Sequence, residues 1–306
     1  MVGWTEGLQW AGVATLLAGL AFAAVADLRT REVTDRVWQL LGIVGLVIGA
    51  VLLAPDGPVP LVLWIVVAAL ALQHMFAWDL ALGPGREGYA DLIELVLYVV
   101  VVAIIATTAA RVGIGSSGVP YPVIACLATV LFARGLFEAG VLYGGGDAKA
   151  LMTASVLVPT FATPVLFHPD VLAPVIGLLP YSFDLLMDAA ILSIGIPIVI
   201  AVRNVFRGEF HGLQGFTGYE IPVSELPQRF VWVRDPTYGS ARQQEDEIET
   251  SEDDRKRRVE IAAELAGRGV RRVWVTPQIP FLVLMALGAV AALLAGNLVL
   301  DLVSVL

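Results

Sequence analysis

The chain has 306 residues, of which 58% are hydrophobic and 15% charged, with a mean hydropathy of +0.80; an ordinary soluble domain carries about 25% charged residues, so the composition predicts an all-α polytopic membrane protein. A net charge of −9 and a pI near 4.8 argue against nucleic acid as a partner, which calls for a basic face. The single cysteine, Cys126, excludes an intrachain disulfide and a zinc site of paired cysteines, and His74, His168 and His211 lack metal-ligand spacing and read as interfacial or loop residues.

Met1 to Gln9 carries no Lys or Arg, and apolar sequence continues to Ala26, so the first helix is expected to stay in the membrane rather than be cleaved as a signal peptide. Runs of about 20 apolar residues, the length a bilayer requires, fall at 8–26, 37–54, 61–78, 93–110, 120–141, 148–168, 185–203 and 278–300. The fold class expected is therefore about eight transmembrane helices, with a mixed cytoplasmic insertion before the last. Residues 1–203 form the membrane core of helices 1 to 7, 204–276 the hydrophilic insertion, and 277–306 the last helix. Pro55-Asp56-Gly57-Pro58, Gly83-Pro84-Gly85 and Gly113 to Gly118 mark turns.

Helix 1 ends at Asp27, which sits at the membrane boundary and is followed by Arg29, Arg31 and Arg36. Arg86 after helix 3, Lys149 after helix 5, and Arg203 and Arg207 after helix 7 fall on the same side, while the opposite side offers only Arg111. Basic residues accumulate on the cytoplasmic side, so both chain ends are expected outside and Asp27 inside. Asp79, Asp91 and Glu94 are expected in the inner connection after helix 3. Arg134 and Glu138, four apart in helix 5, have the spacing of an ion pair on one helix face.

Tyr143-Gly144-Gly145-Gly146-Asp147-Ala148-Lys149 places a carboxylate between two apolar runs, where hydrocarbon disfavours charge by roughly 2.5 to 3.5 kcal/mol even on lenient scales. Glycines permit positive φ and close approach of another backbone; an acid presented to an incoming peptide is one reading. The other is a glycine turn in which Asp147 caps a helix beginning at Ala148. Further on, His168 to Tyr181 is proline-punctuated and reads as a re-entrant or outer-surface stretch. In the insertion, Ser251-Glu252-Asp253-Asp254 has capping-box character, Arg255 to Arg258 follow, and Gly267 and Gly269 end the helix. Arg271 to Val275 then reads as a short strand.

Asp27 alone reads as an ordinary helix-end charge in a basic loop, but with Asp147 at the same depth and side the spacing permits two carboxylates to share one proton while activating a water, as in aspartic proteases. Gly144-Gly145-Gly146-Asp147 fits the GxGD signature of the type IV prepilin peptidases, and Lys149 also resembles that group. Asp27, with Val33-Thr34-Asp35-Arg36-Val37-Trp38 after it, resembles the first-aspartate region of the archaeal preflagellin and prepilin peptidases. Thr276-Pro277-Gln278-Ile279-Pro280-Phe281 is similar to the approach to that family's last helix. The resemblance implies a membrane aspartyl endopeptidase with Asp27 and Asp147 catalytic and Gly144, Gly146 and Lys149 supporting the motif. It implies cleavage of basic leaders from archaellin and type IV pilin precursors at the cytoplasmic membrane face, without metal, nucleotide or other cofactor.

The chain departs from archaeal relatives, which have six spans, with helices 3 and 4 the expected insertion. It lacks the paired-cysteine domain linked to methylation in bacterial relatives. Two alternatives stay open: a presenilin-like intramembrane protease, which uses the same dyad, and an ion-coupled transporter using Asp147. A phosphate-binding loop is disfavoured, because residues 144–149 lack the G-x-x-x-x-G-K-[ST] spacing.

Overall fold

The computed structural model describes residues 2–76, 87–142, 144–161, 179–235, 238 and 251–305. Its helices are α1 (Val2–Thr30), α2 (Asp35–Leu53), α3 (Pro58–Met75), α4 (Glu87–Val112), α5 (Tyr121–Glu138), α6 (Gly145–Leu157), α7 (Tyr181–Ser193), α8 (Gly195–Arg207), α9 (Ser251–Gly267), α10 (Phe281–Ala295) and α11 (Leu298–Val305). Three short strands, β1 (Tyr219–Pro222), β2 (Val231–Val233) and β3 (Arg272–Pro277), complete the described elements. The chain divides into two compact units. The first comprises Met1–Val25, Val33–Ala189 and Phe281–Leu306, and the second Ala26–Glu32 and Ala190–Pro280.

Six segments among the described residues are long and apolar enough to cross a membrane: Thr5–Thr30, Asp35–Asp56, Pro58–Met75, Leu92–Val112, Tyr121–Glu138 and Tyr181–Arg207. The bent pair Phe281–Ala295 and Leu298–Ser304 makes a seventh if it counts as one span. Large apolar side chains such as Phe22, Leu40, Ile65 and Val99 stand exposed on these helices, as lipid-facing residues do.

Within the first unit, α6 is the core helix. Ala148 and every residue from Ala150 to Leu157 are buried, the all-round burial of a helix enclosed by others, and α2, α3, α5 and α10 pack against it. Gly45 of α2 permits a close approach to it: a Cβ there would stand 2.8 Å from the backbone of Val156 and Leu157. Of the expected span 148–168, α6 ends at Leu157, because Val158 precedes Pro159 and takes an extended φ of −139°; residues 162–168 lie outside the described residues. A residue before proline is pushed out of the helical region. The expected re-entrant stretch lies, for residues 168–178, outside the described residues, as do Arg86 and Asp79. Glu94, expected in a connection, sits inside α4, which begins at Glu87.

The last apolar run is also not one helix. Gly296 takes a left-handed φ of 81°, and Asn297 caps α11 by accepting the Leu300 N–H at 3.0 Å. Two buried acids of α7 complete the break: Asp184 accepts the Asn297 side-chain amide at 2.7 Å and Asp188 accepts the Leu298 N–H at 2.8 Å. The spread of apolar residues across 278–300 conceals this break.

In the second unit, β3 is the centre of an antiparallel sheet of order β1-β3-β2, pairing Tyr219 with Val275 and Val231 with Pro277. Its core is Ile221, Val223, Leu226, Val231, Val233, Val273 and Val275, closed by Ile261 and Leu265 of α9. The helix and strand expected from the acidic-then-basic run and from Arg271 to Val275 are α9 and β3.

Candidate active site

Asp147 belongs to the first unit and Asp27 to the second. Gly144 is the N-cap of α6, so Asp147 is the third residue of the helix rather than the cap of a helix starting at Ala148, and its N–H donates to the Gly144 carbonyl at 3.0 Å. None of the three glycines has positive φ, so the conformational freedom that glycine permits is not used here. What Gly144 supplies is space. A Cβ there would meet Asp147 Oδ2 at 3.3 Å and Cγ at 3.6 Å, so the carboxylate folds back against the glycine. It thereby lies at the positive end of the α6 dipole, which favours an anion. Gly145 meets nothing within 4 Å, and Gly146 only Leu282 Cδ1 at 3.9 Å; Tyr143 is outside the described residues.

Lys149 fixes this first turn to α2, its Nζ lying 2.5 Å from Asp35 Oδ1. Asp35 stood within the stretch that carries the resemblance, yet nothing in its spacing pointed to Lys149. Beside this pair lies a cavity of about 110 Å³ lined by His74, Arg134, Phe137, Gly145, Lys149 and Met152. Its wall is a polar chain across three helices. The expected Arg134 and Glu138 ion pair forms at 2.7 Å, and Arg134 also holds Glu94 of α4 at 2.9 Å. His74 Nε2 meets the Tyr98 hydroxyl at 2.5 Å and lies 3.9 Å from Glu94. His74 is expected from sequence at an interface or in a loop and Glu94 in a connection, and no spacing in the sequence relates either to this cavity.

Asp27 lies in the last turn of α1, where its side chain is 14% exposed. Arg31, one turn on, places Nη1 3.7 Å from Asp27 Oδ1, and the Arg31 N–H donates to the Asp27 carbonyl at 3.1 Å. Among the described residues Arg31 is the one non-glycine with positive φ, at 59°. Burial lowers the Arg31 guanidinium below its ordinary pKa, and the Asp27 carboxylate opposes that shift. Among the described residues, no group of three or more His, Cys, Asp or Glu is arranged to hold a metal ion.

Asp147 is held at a helix N-terminus in the turn whose Gly145 and Lys149 line the cavity, and Asp27 is held beside a guanidinium at a helix end. Comparison with known proteins gives two matches. A family model described as "Archaeal Peptidase A24 C-terminus Type II" matches residues 213–298, which cover the sheet, α9 and α10. A preflagellin peptidase of Methanocaldococcus jannaschii is 26% identical over 175 residues, spanning 55% of this chain and 69% of that protein.

Proposed function

We propose that this chain, a member of the archaeal peptidase A24 family of aspartic proteases, removes basic leader peptides from archaellin and type IV pilin-like precursors at the cytoplasmic membrane face. The observation that carries the reading is the threading of the chain between its two acids. Among the described residues, four candidate spans, α2 to α5, separate Asp27 from Asp147, and an even number of crossings returns the chain to the membrane face it left. The basic residues at the end of α1, in the first turns of α2 and α6 and at the end of α8 support the cytoplasm as that face.

In this reading Asp27 and Asp147 are one catalytic unit, aided by Gly144, Gly146 and Lys149. One aspartate, protonated, polarises the scissile carbonyl, while the other, ionised, takes a proton from the attacking water; nearby like charges resist double ionisation, so the two roles divide naturally. Gly145, open to at least 4 Å, leaves the side of α6 free for the backbone of an extended substrate. The test is incubation of membranes containing the protein with an archaellin or pilin precursor. A product shortened by its leader, formed equally with chelator present, is expected. An intact precursor together with ion-coupled uptake would favour a transporter.

A further inference from the structure

Helix ends that turn left-handed usually do so at glycine or asparagine, yet α1 turns at Arg31, with φ 59°. A side chain kept in so unfavourable a backbone region points to work done by that side chain. The guanidinium of Arg31 is engaged on three sides within the second unit. Nη1 faces Asp27 Oδ1 at 3.7 Å, Nη2 donates to the Gln278 carbonyl at 3.0 Å, and the plane lies 5.1 Å from the Phe230 ring centroid.

Each of these partners is itself held. Arg258 of α9 stands 5.3 Å from the same Phe230 ring, so one aromatic ring contacts two guanidiniums. Arg258 is ion-paired with Asp254, and Asp254 also accepts the Gln278 side-chain amide at 3.3 Å. The Gln278 N–H donates to the Phe230 carbonyl at 3.0 Å. Arg31, Phe230, Arg258, Asp254 and Gln278 thus form a closed ring. Charged groups near Arg31 among the described residues of the second unit include Asp27 on its own helix and the mutually paired Asp254 and Arg258 on α9.

We infer that Arg31 is a positioning residue for Asp27, and that the hydrophilic insertion serves the active site by locking Arg31 through Phe230, Gln278 and α9. The inference rests on the peptidase reading above. It gives the sheet and α9 a task in the reaction: they fix the end of α1 so that its carboxylate is presented in one orientation, which matters because a misplacement of about 1 Å can cost 10²-fold in rate.

Glycine separates backbone from guanidinium, because it adopts φ near 59° without strain. Arg31→Gly, Arg31→Lys and Phe230→Leu are compared with the wild-type protein in precursor cleavage and in thermal unfolding. Arg31→Gly is expected to unfold no earlier than wild type, yet to lose about ten- to a hundredfold in kcat with KM changed by less than about twofold. Added guanidinium ion is expected to restore part of that loss, and Arg31→Lys to fall between. Phe230→Leu, which keeps apolar volume but loses the ring face, is expected to lower kcat less. Full turnover by folded Arg31→Gly would overturn the positioning role, and wild-type turnover by Phe230→Leu would overturn the part assigned to the insertion. Absence of cleavage by the wild-type protein would remove the peptidase reading and this inference with it.

Discussion

The ammonium of Lys149 lies 2.5 Å from the Asp35 carboxylate, joining the first turn of α6 to the first residue of α2. The side chains are 22% and 37% exposed, and water screens such a pair, so its contribution to stability is about 0 to 1 kcal/mol. Its value is orientation of the turn that carries Asp147. Lys149→Met and Asp35→Asn are each expected to reduce precursor cleavage about tenfold or more with unfolding temperature nearly unchanged. The double variant should be no worse than either single one, the non-additivity of contacting residues. Additive losses measured by initial rates would show that the two residues act separately.

Gly144 makes a second prediction. Its φ of −91° suits any residue, so Gly144→Ala should fold and insert normally, but its Cβ would press on Asp147 Oδ2 at 3.3 Å. Cleavage is expected to fall by about ten- to a hundredfold. Gly145→Ala, which meets nothing within 4 Å, is the control for folding. A Gly144→Ala enzyme with wild-type rates would show that the carboxylate does not need this space.

Gly45 tests the packing of the core helix. A side chain there collides with the backbone of Val156 and Leu157 at 2.8 Å, and backbone in a buried helix cannot step aside as a flexible side chain does. Overpacking of this kind costs about 1 to 3 kcal/mol. Gly45→Val should therefore unfold at lower temperature in detergent and accumulate poorly in membranes. Unchanged thermal unfolding would contradict the close approach of α2 and α6.

Orientation is tested with single cysteines after Cys126, which is buried, is replaced by alanine. Ser116→Cys, in the exposed turn between α4 and α5, should react with an impermeant thiol reagent in intact cells. Gln214→Cys, exposed in the insertion, should react only after lysis. The reverse labelling pattern would invert the topology and put both aspartates outside.

Much of this architecture is legible in the sequence where local chemistry decides it. The acids at Glu252 to Asp254, the arginines after them and Gly267 delimit α9, and the spacing of Arg134 and Glu138 gives their ion pair. What escapes is decided by single residues inside uniformly apolar runs or by contacts distant in sequence. Pro159 stops α6 and Gly296-Asn297 breaks the last run, but apolar composition conceals both. Lys149 and Asp35 are 114 positions apart, and no periodicity relates them. The left-handed turn at Arg31 is equally silent, since its partners Phe230 and Gln278 lie about 200 or more positions away in sequence. Of the candidate site, the sequence shows the motif positions but not the contacts made around each acid by residues distant in the chain.

The most direct measurement is cleavage of a membrane-anchored precursor by Asp27→Asn, Asp147→Asn and the double variant, each with membrane insertion verified. Asparagine is nearly isosteric with aspartate but does not ionise, so each single variant should lose cleavage altogether and the double variant should be no worse, as members of one catalytic unit require. Full turnover by well-inserted Asp27→Asn or Asp147→Asn would contradict the shared-proton dyad.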